Sequence, residues 1–229
     1  MSPTLPEQQL LQTLACCSGH GTFESHITIA ADATCVNPFR TTCANLGVKP
    51  VLIELSHGES ASQPMTSAYH RGDLQTVAQE VATLATRLRE AGFAVNRVKL
   101  EAVATNTGVP IHDDEAAQFA PDCYFEFHLK LLLAVETDLT PIQAICDRFA
   151  AKLSRNAFKQ RADASIERFV TLRVYHAGRH TAYRELDRLS AALHDAGIRI
   201  ANTVREYSLF DSNTALDAGW IDAPDEDHA

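Results

Sequence analysis

The pattern Phe-Glu-x-His occurs twice, as Phe23-Glu24-Ser25-His26 and Phe125-Glu126-Phe127-His128, 102 residues apart. Each copy runs on into alternating apolar positions, Ile27 and Ile29 in the first and Leu129 and Leu131 in the second. Such alternation predicts strands, on which residues two apart share a face. Phe23, Ser25, Ile27 and Ile29 then point one way, and Glu24, His26 and Thr28 the other. In the second copy Phe125, Phe127, Leu129 and Leu131 oppose Glu126, His128 and Lys130. The likeness continues downstream. Glu80, Leu84, Leu88, Gly92 and Glu101 match Glu185, Leu189, Leu193, Gly197 and Glu206 at a separation of 105. Tyr69-His70-x-Gly72 matches Tyr175-His176-x-Gly178 at 106, so one residue is gained or lost between.

A period of about half the chain is too long for a solenoid and points to an internal duplication. Between the markers, each half reads as strand, helix, strand, strand, helix, strand. The clearest helix is 73–91, where Leu74, Val77, Val81, Leu84 and Leu88 fall at helical spacing, Asp73 caps the start and Gly92 ends it. A second helix is expected over about 141–153. The fold class expected is α+β, a duplicated ferredoxin-like βαββαβ unit whose halves are related by a pseudo-twofold axis. The expected division is an extension at 1–22, halves at 23–102 and 123–210, a linker at 103–122 with its acidic run Asp113-Asp114-Glu115, and a tail at 211–229.

In a βαββαβ unit the helices cover one sheet face, so the polar residues belong on the open one. Parity places Glu24, His26, Thr28, Arg97, Lys99 and Glu101 there in the first half, and Glu126, His128, Lys130, Thr171, Arg173 and Glu206 in the second. Charged side chains at mid-strand are rarely buried unless paired. Three explanations stand. The polar residues form a structural seam, making the chain a non-catalytic interaction protein. Alternatively they line a cleft between the halves for an anionic small molecule bearing phosphate or carboxylate. Lys99, Lys130, Arg97, Arg173 and Thr28 would then bind it, and the catalytic groups of a hydrolase or lyase would be His26, His128, Glu24 and Glu126. As a third choice, His26, His128, Glu101 and Glu206 hold a divalent metal as cofactor.

The bulk chemistry narrows the field. Across 229 residues the net charge is −9, which argues against nucleic acid as partner, because phosphate backbones are gripped by basic surfaces. No apolar run reaches the roughly 18 residues of a membrane span. The N-terminal stretch has no basic residue before Leu10–Cys17, unlike a signal peptide. Six cysteines without a C-x-x-C pair fit a reducing, cytoplasmic setting. The spacing leaves the oligomeric state open.

Three family resemblances attach to these residues. His26-Ile27-Thr28-Ile29 resembles the His-x-Thr motif of the two-histidine phosphoesterases, which implies a two-lobed fold; the second copy carries Lys130 where that family has Thr or Ser. The pairing of a His strand with a Glu strand resembles the vicinal oxygen chelate proteins and implies a metal shared by two repeats. Glu126-x-His128-x-Lys130 resembles the ExExK strand of triphosphate-tunnel enzymes.

Overall fold

The computed structural model describes residues 5–30, 35–55, 62–156 and 165–217. In order, the chain runs α1 (Pro6–Leu14), β1 (His20–Ile29), α2 (Val36–Leu46), β2 (Lys49–Leu55), β3 (Ser62–Asp73), α3 (Leu74–Glu90) and β4 (Val95–Val103). It continues through α4 (Asp113–Ala116), β5 (Tyr124–Ala134), α5 (Thr140–Arg148), β6 (Lys152–Asn156), β7 (Ser165–Tyr175), α6 (Arg179–Asp195) and β8 (Ile200–Asp211). A 3-10 turn at Thr214–Asp217 follows. The chain is thus a mixed α+β protein of antiparallel strands and helices.

Two compact units divide it. Unit 1 comprises Met1–Leu52, Ser62–Val109 and Glu206–Asn213; unit 2 comprises Ile53–Ala61, Pro110–Arg205 and Thr214–Ala229. In unit 1 the strand order is β2-β3-β1-β4, followed by the C-terminal part of β8. In unit 2 it is β6-β7-β5, with the N-terminal part of β8 beside β5 and the end of β2 beside β6. Within each unit the first strand therefore sits between the third and the fourth, the order of a split βαβ unit.

Unit 1 shows why the local sequence takes this form. The side chain of Asp73 accepts the amide of Gln75 at 2.9 Å and starts α3. The helix buries Leu74, Val77, Val81, Leu84 and Leu88, the residues at helical spacing, and packs on α1, β1, β3 and β4. Past its end, Gly92 takes φ +92, a conformation that costs glycine nothing. Within the stretch expected as an extension, α1 makes a nine-residue helix. Leu10 and Leu14 are buried, and Glu7 is clamped by Arg89 at 2.9 Å. Residues 104–109, within the stretch expected as linker, are held to unit 1: the side chain of Asn106 accepts from Thr22 N–H at 3.2 Å and donates to Thr22 C=O at 2.7 Å.

In unit 2, α6 repeats the role of α3 at the same length of 17 residues and buries Leu186, Leu189 and Leu193. Asp113 holds its N-terminus, accepting from Gly178 N–H at 2.8 Å and Thr181 Oγ at 3.0 Å. The helix expected to reach 153 stops at Arg148. Ala150 turns to φ +51, Ala151 N–H closes on Cys146 C=O at 2.8 Å, and Lys152 opens a strand instead. Residues 56–61 and 157–164, and the part of the expected tail from 218 on, lie outside the described residues.

Candidate functional site: a buried polar sheet face

The register of unit 1 decides which side chains meet. Along β1, Glu24 pairs with Tyr69 and Glu101, His26 with Ser67 and Lys99, and Thr28 with Met65 and Arg97. On β8, Ser208 pairs with Glu101 and Glu206 with Val103, which puts both on the face of Glu24 and His26. Both faces of β1 are buried. Phe23, Ser25 and Ile27 lie on the helix side, while Glu24 and Thr28 on the polar side are equally shielded from water.

Buried charge demands partners, and Glu24 has several. Ser67 Oγ donates to its Oε1 at 2.7 Å, and the Tyr69 hydroxyl and the Glu206 carboxyl also donate to it. His26 Nε2 stands 3.6 Å from Glu24 and 3.4 Å from Glu101. The other ring nitrogen, Nδ1, faces the Thr66 carbonyl at 3.2 Å. A carbonyl can only accept, so Nδ1 carries a proton, and Nε2 is the atom that can give or take one. Lys99 Nζ lies 2.8 Å from Glu101 Oε1. Both oxygens of Glu101 thus face a cationic side chain, Oε1 that of Lys99 and Oε2 that of His26.

These neighbours separate the carboxyls. Burial pushes Glu24 up, but His26 and the hydrogen bonds from Ser67, Tyr69 and Glu206 outweigh it and hold the group below the usual carboxylate range. Glu206 goes the other way. Burial first, then the charges of Glu101 and Glu24, raise it well above that range against the pull of Lys99. Of the two carboxyls, Glu206 is thus the one that favours the proton. For His26, burial works against the charged form, yet Glu24 and Glu101 prevail and raise its pKa. Two carboxyls with pKa values driven apart beside a histidine form an arrangement capable of acid–base chemistry.

The remaining expected residues divide between other contacts. Arg97 donates through Nε to Asp211 Oδ1 at 2.8 Å. Thr28 is buried, and its hydroxyl makes no hydrogen bond. In unit 2, His128 Nε2 lies 3.2 Å from Glu126, and its Nδ1 is 3.0 Å from the Thr171 hydroxyl. Arg173 binds Glu126 through Nε and Asp217 through Nη2 at 2.8 Å, with its guanidinium 4.7 Å from the Tyr124 ring centre. Lys130 pairs with Glu167 at 2.7 Å. All four cations expected to clamp an anion therefore carry a carboxylate. Of the residues expected to bind a metal, His26, Glu101 and Glu206 belong to unit 1 and His128 to unit 2. Among the described residues no group of three or more His, Cys, Asp or Glu side chains is arranged to hold a metal ion.

Sequence reasoning missed Ser67, Tyr69, Ser208 and Asp217, because cross-strand neighbours follow from register and leave no local signal. It also missed a line from β1 to α3. His70 Nδ1 donates to Glu80 Oε2 at 2.9 Å, leaving Nε2 to accept from Ser25 Oγ at 2.9 Å. The order resembles nucleophile, base and carboxylate. Here, however, the serine is the buried member and the glutamate the exposed one, so the line ties helix to strand.

The fold and this face define a mixed α+β protein with a buried polar cluster on one sheet face. No family model matches the chain and no curated protein matches it. Among solved structures, the regulatory subunit of aspartate kinase from Thermus thermophilus, in its ligand-free form, is 14% identical. That comparison covers 77% of this chain and 95% of the other at a TM-score of 0.30, a likeness that carries no functional inference.

Proposed function

We propose that this chain is a cytoplasmic small-molecule-binding protein built from two copies of one βαββαβ unit, at 23–102 and 123–210. In it, His26 with Glu24 and Glu206 exchanges a proton with the ligand. The shared strand order of the two units and their paired Glu-x-His strands support the duplication. The observation that carries the binding reading is the polar face of unit 1. It holds two carboxyls whose pKa values are driven apart, a histidine poised through Nε2, and the buried hydroxyls of Thr28 and Ser208, which make no hydrogen bond. If the ligand is transformed as well as bound, the same groups suit a hydrolase or lyase.

An anionic ligand would have to take Lys99 from Glu101 or Arg97 from Asp211 before gaining its charge partner. That saturation favours a second reading, in which the face is a structural network and the chain an interaction protein. Urea unfolding of His26→Ala separates the two. A binding site is strained for its ligand, so stability should hold or rise. A structural network should lose about 3 kcal/mol or more when a buried pair is broken, and a loss of that size overturns the binding reading.

A further inference from the structure

Cys16 and Cys17 are adjacent, exposed and free thiols. They lie in the turn that ends α1, and the backbone of that turn is fastened to α3. Cys17 N–H closes on the Leu14 carbonyl at 3.0 Å. The side-chain amide of Gln75, in the first turn of α3, donates to the Leu14 carbonyl and to the Cys17 carbonyl, the latter at 2.9 Å. Further on, the Gly19 carbonyl accepts from Leu74 N–H at 3.0 Å. The last carbonyls of a helix have no partner within it, so Gln75 supplies what the end of α1 lacks. Behind this joint Leu10 and Leu14 are buried, and α1 packs on α3 and β4. The Cys17 thiol leans on its own helix, 3.9 Å from the Thr13 carbonyl, and both thiols stay open to solvent.

We propose that Cys16 and Cys17 form a redox-sensitive dithiol, oxidised to a disulfide by a low-molecular-weight disulfide, and that closing the bond loosens α1 from α3. One thiol, as its thiolate, attacks a sulfur of the small disulfide. That S–S bond breaks, a mixed disulfide forms and the first small thiol leaves. The second thiolate attacks the cysteine sulfur of the mixed disulfide, forms the Cys16–Cys17 bond and expels the second small thiol. Two electrons pass from the pair to the small disulfide, and the two protons leave on the two thiols released. Adjacent Cα atoms are about 3.8 Å apart across a trans peptide, short of the roughly 4.4–6.8 Å that disulfides usually span. The bond is therefore strained and easily reduced, as regulatory disulfides are, and reaching it requires the 16–17 peptide to turn. That peptide carries the N–H bonded to Leu14, and the Cys17 carbonyl held by Gln75 follows it directly. In reducing compartments the disulfides that do occur are transient and redox-sensing.

Incubation of the full chain with glutathione disulfide, followed by peptide mass mapping and hydrogen exchange, tests this. A loss of two hydrogens is expected on the peptide that holds Cys16 and Cys17, reversed by dithiothreitol. In Cys16→Ser and in Cys17→Ser, both changes at exposed side chains, the remaining thiol should instead keep the glutathione. Amides near the C-terminal end of α1 should exchange roughly three- to tenfold faster in the oxidised chain, the effect of losing about one hydrogen bond. Gln75→Ala should give the reduced chain a similar increase, since it removes the same clamp without touching a thiol. If the wild type ends as the mixed glutathione disulfide or as a chain-to-chain disulfide, the internal bond is overturned. If the internal bond forms while α1 exchanges as in the reduced chain, the release of α1 is overturned.

Discussion

Glu206→Gln isolates the proton on Glu206. Glutamine has the shape of a protonated glutamate, can still donate to Glu24, and has no proton to lose. In the folded chain Glu206 is held well above the ordinary carboxylate range, by burial and then by Glu101 and Glu24. A raised folded-state pKa means that the folded protein binds the proton more tightly than the unfolded chain does. Its contribution is complete below the ordinary glutamate value, and it is lost as pH rises through the folded-state value. The wild type should therefore weaken with rising pH relative to the variant. Glu24 and His26 titrate in both proteins and largely cancel in the difference. A buried charge left without full compensation costs about 1–3 kcal/mol, and about 1 kcal/mol moves Tm by roughly 2–4 °C at this chain length. The assay is thermal unfolding by circular dichroism at pH 4.5 and pH 8.5. The two melting points should nearly coincide at the lower pH, with Glu206→Gln higher by about 2–12 °C at the upper. If the variant melts below wild type at pH 8.5 by more than at pH 4.5, Glu206 is ionised and paired in the fold, and its raised pKa is refuted.

Two further outcomes are expected. Arg173→Met strands Glu126 and Asp217, both buried on the same guanidinium, and should cost about 3–5 kcal/mol in urea unfolding; a loss under 1 kcal/mol would mean that the pairings are not held in solution. Maleimide labelling of the native chain should reach the exposed Cys16 and Cys17 and spare Cys43 and Cys146, whose thiols are buried and pushed up to about 11 and about 12. Rapid native labelling of Cys43 or Cys146 would refute the packing of α2 and α5.

What the sequence made legible is what is written locally. The alternation of 23–29 and 125–131 set the faces of β1 and β5, and the 3.6-residue spacing with Asp73 and Gly92 set α3 nearly to the residue. Glu24, His26, Lys99 and Glu101 were placed on one face by parity alone, and they do share one. Other features depend on partners distant in the chain. A bulge between Leu100 and Glu101 resets the pairing of β4 with β8, so that Ser208, and not a neighbouring residue, stands opposite Glu101. The end of α5 was hidden because Ala150 adopts a left-handed conformation with no glycine to announce it. The cations looked available for a ligand because their partners, such as Asp211 and Asp217, lie 114 and 44 residues away from Arg97 and Arg173.

Unit 1 is interrupted in sequence: its continuous part ends at Val109, and its last strand begins at Glu206. During synthesis on the ribosome, α3 and the first four strands emerge while the carboxyl that completes the polar face is still untranslated. At about 5–20 residues per second the wait is roughly 5–20 s, long compared with the microseconds in which helices and hairpins form. Through that interval Glu24, His26 and Glu101 face water without their proton donor from β8. The hydrogen bonding of this face is thus completed last, and a nascent chain stalled before residue 206 would lack the Glu206 carboxyl.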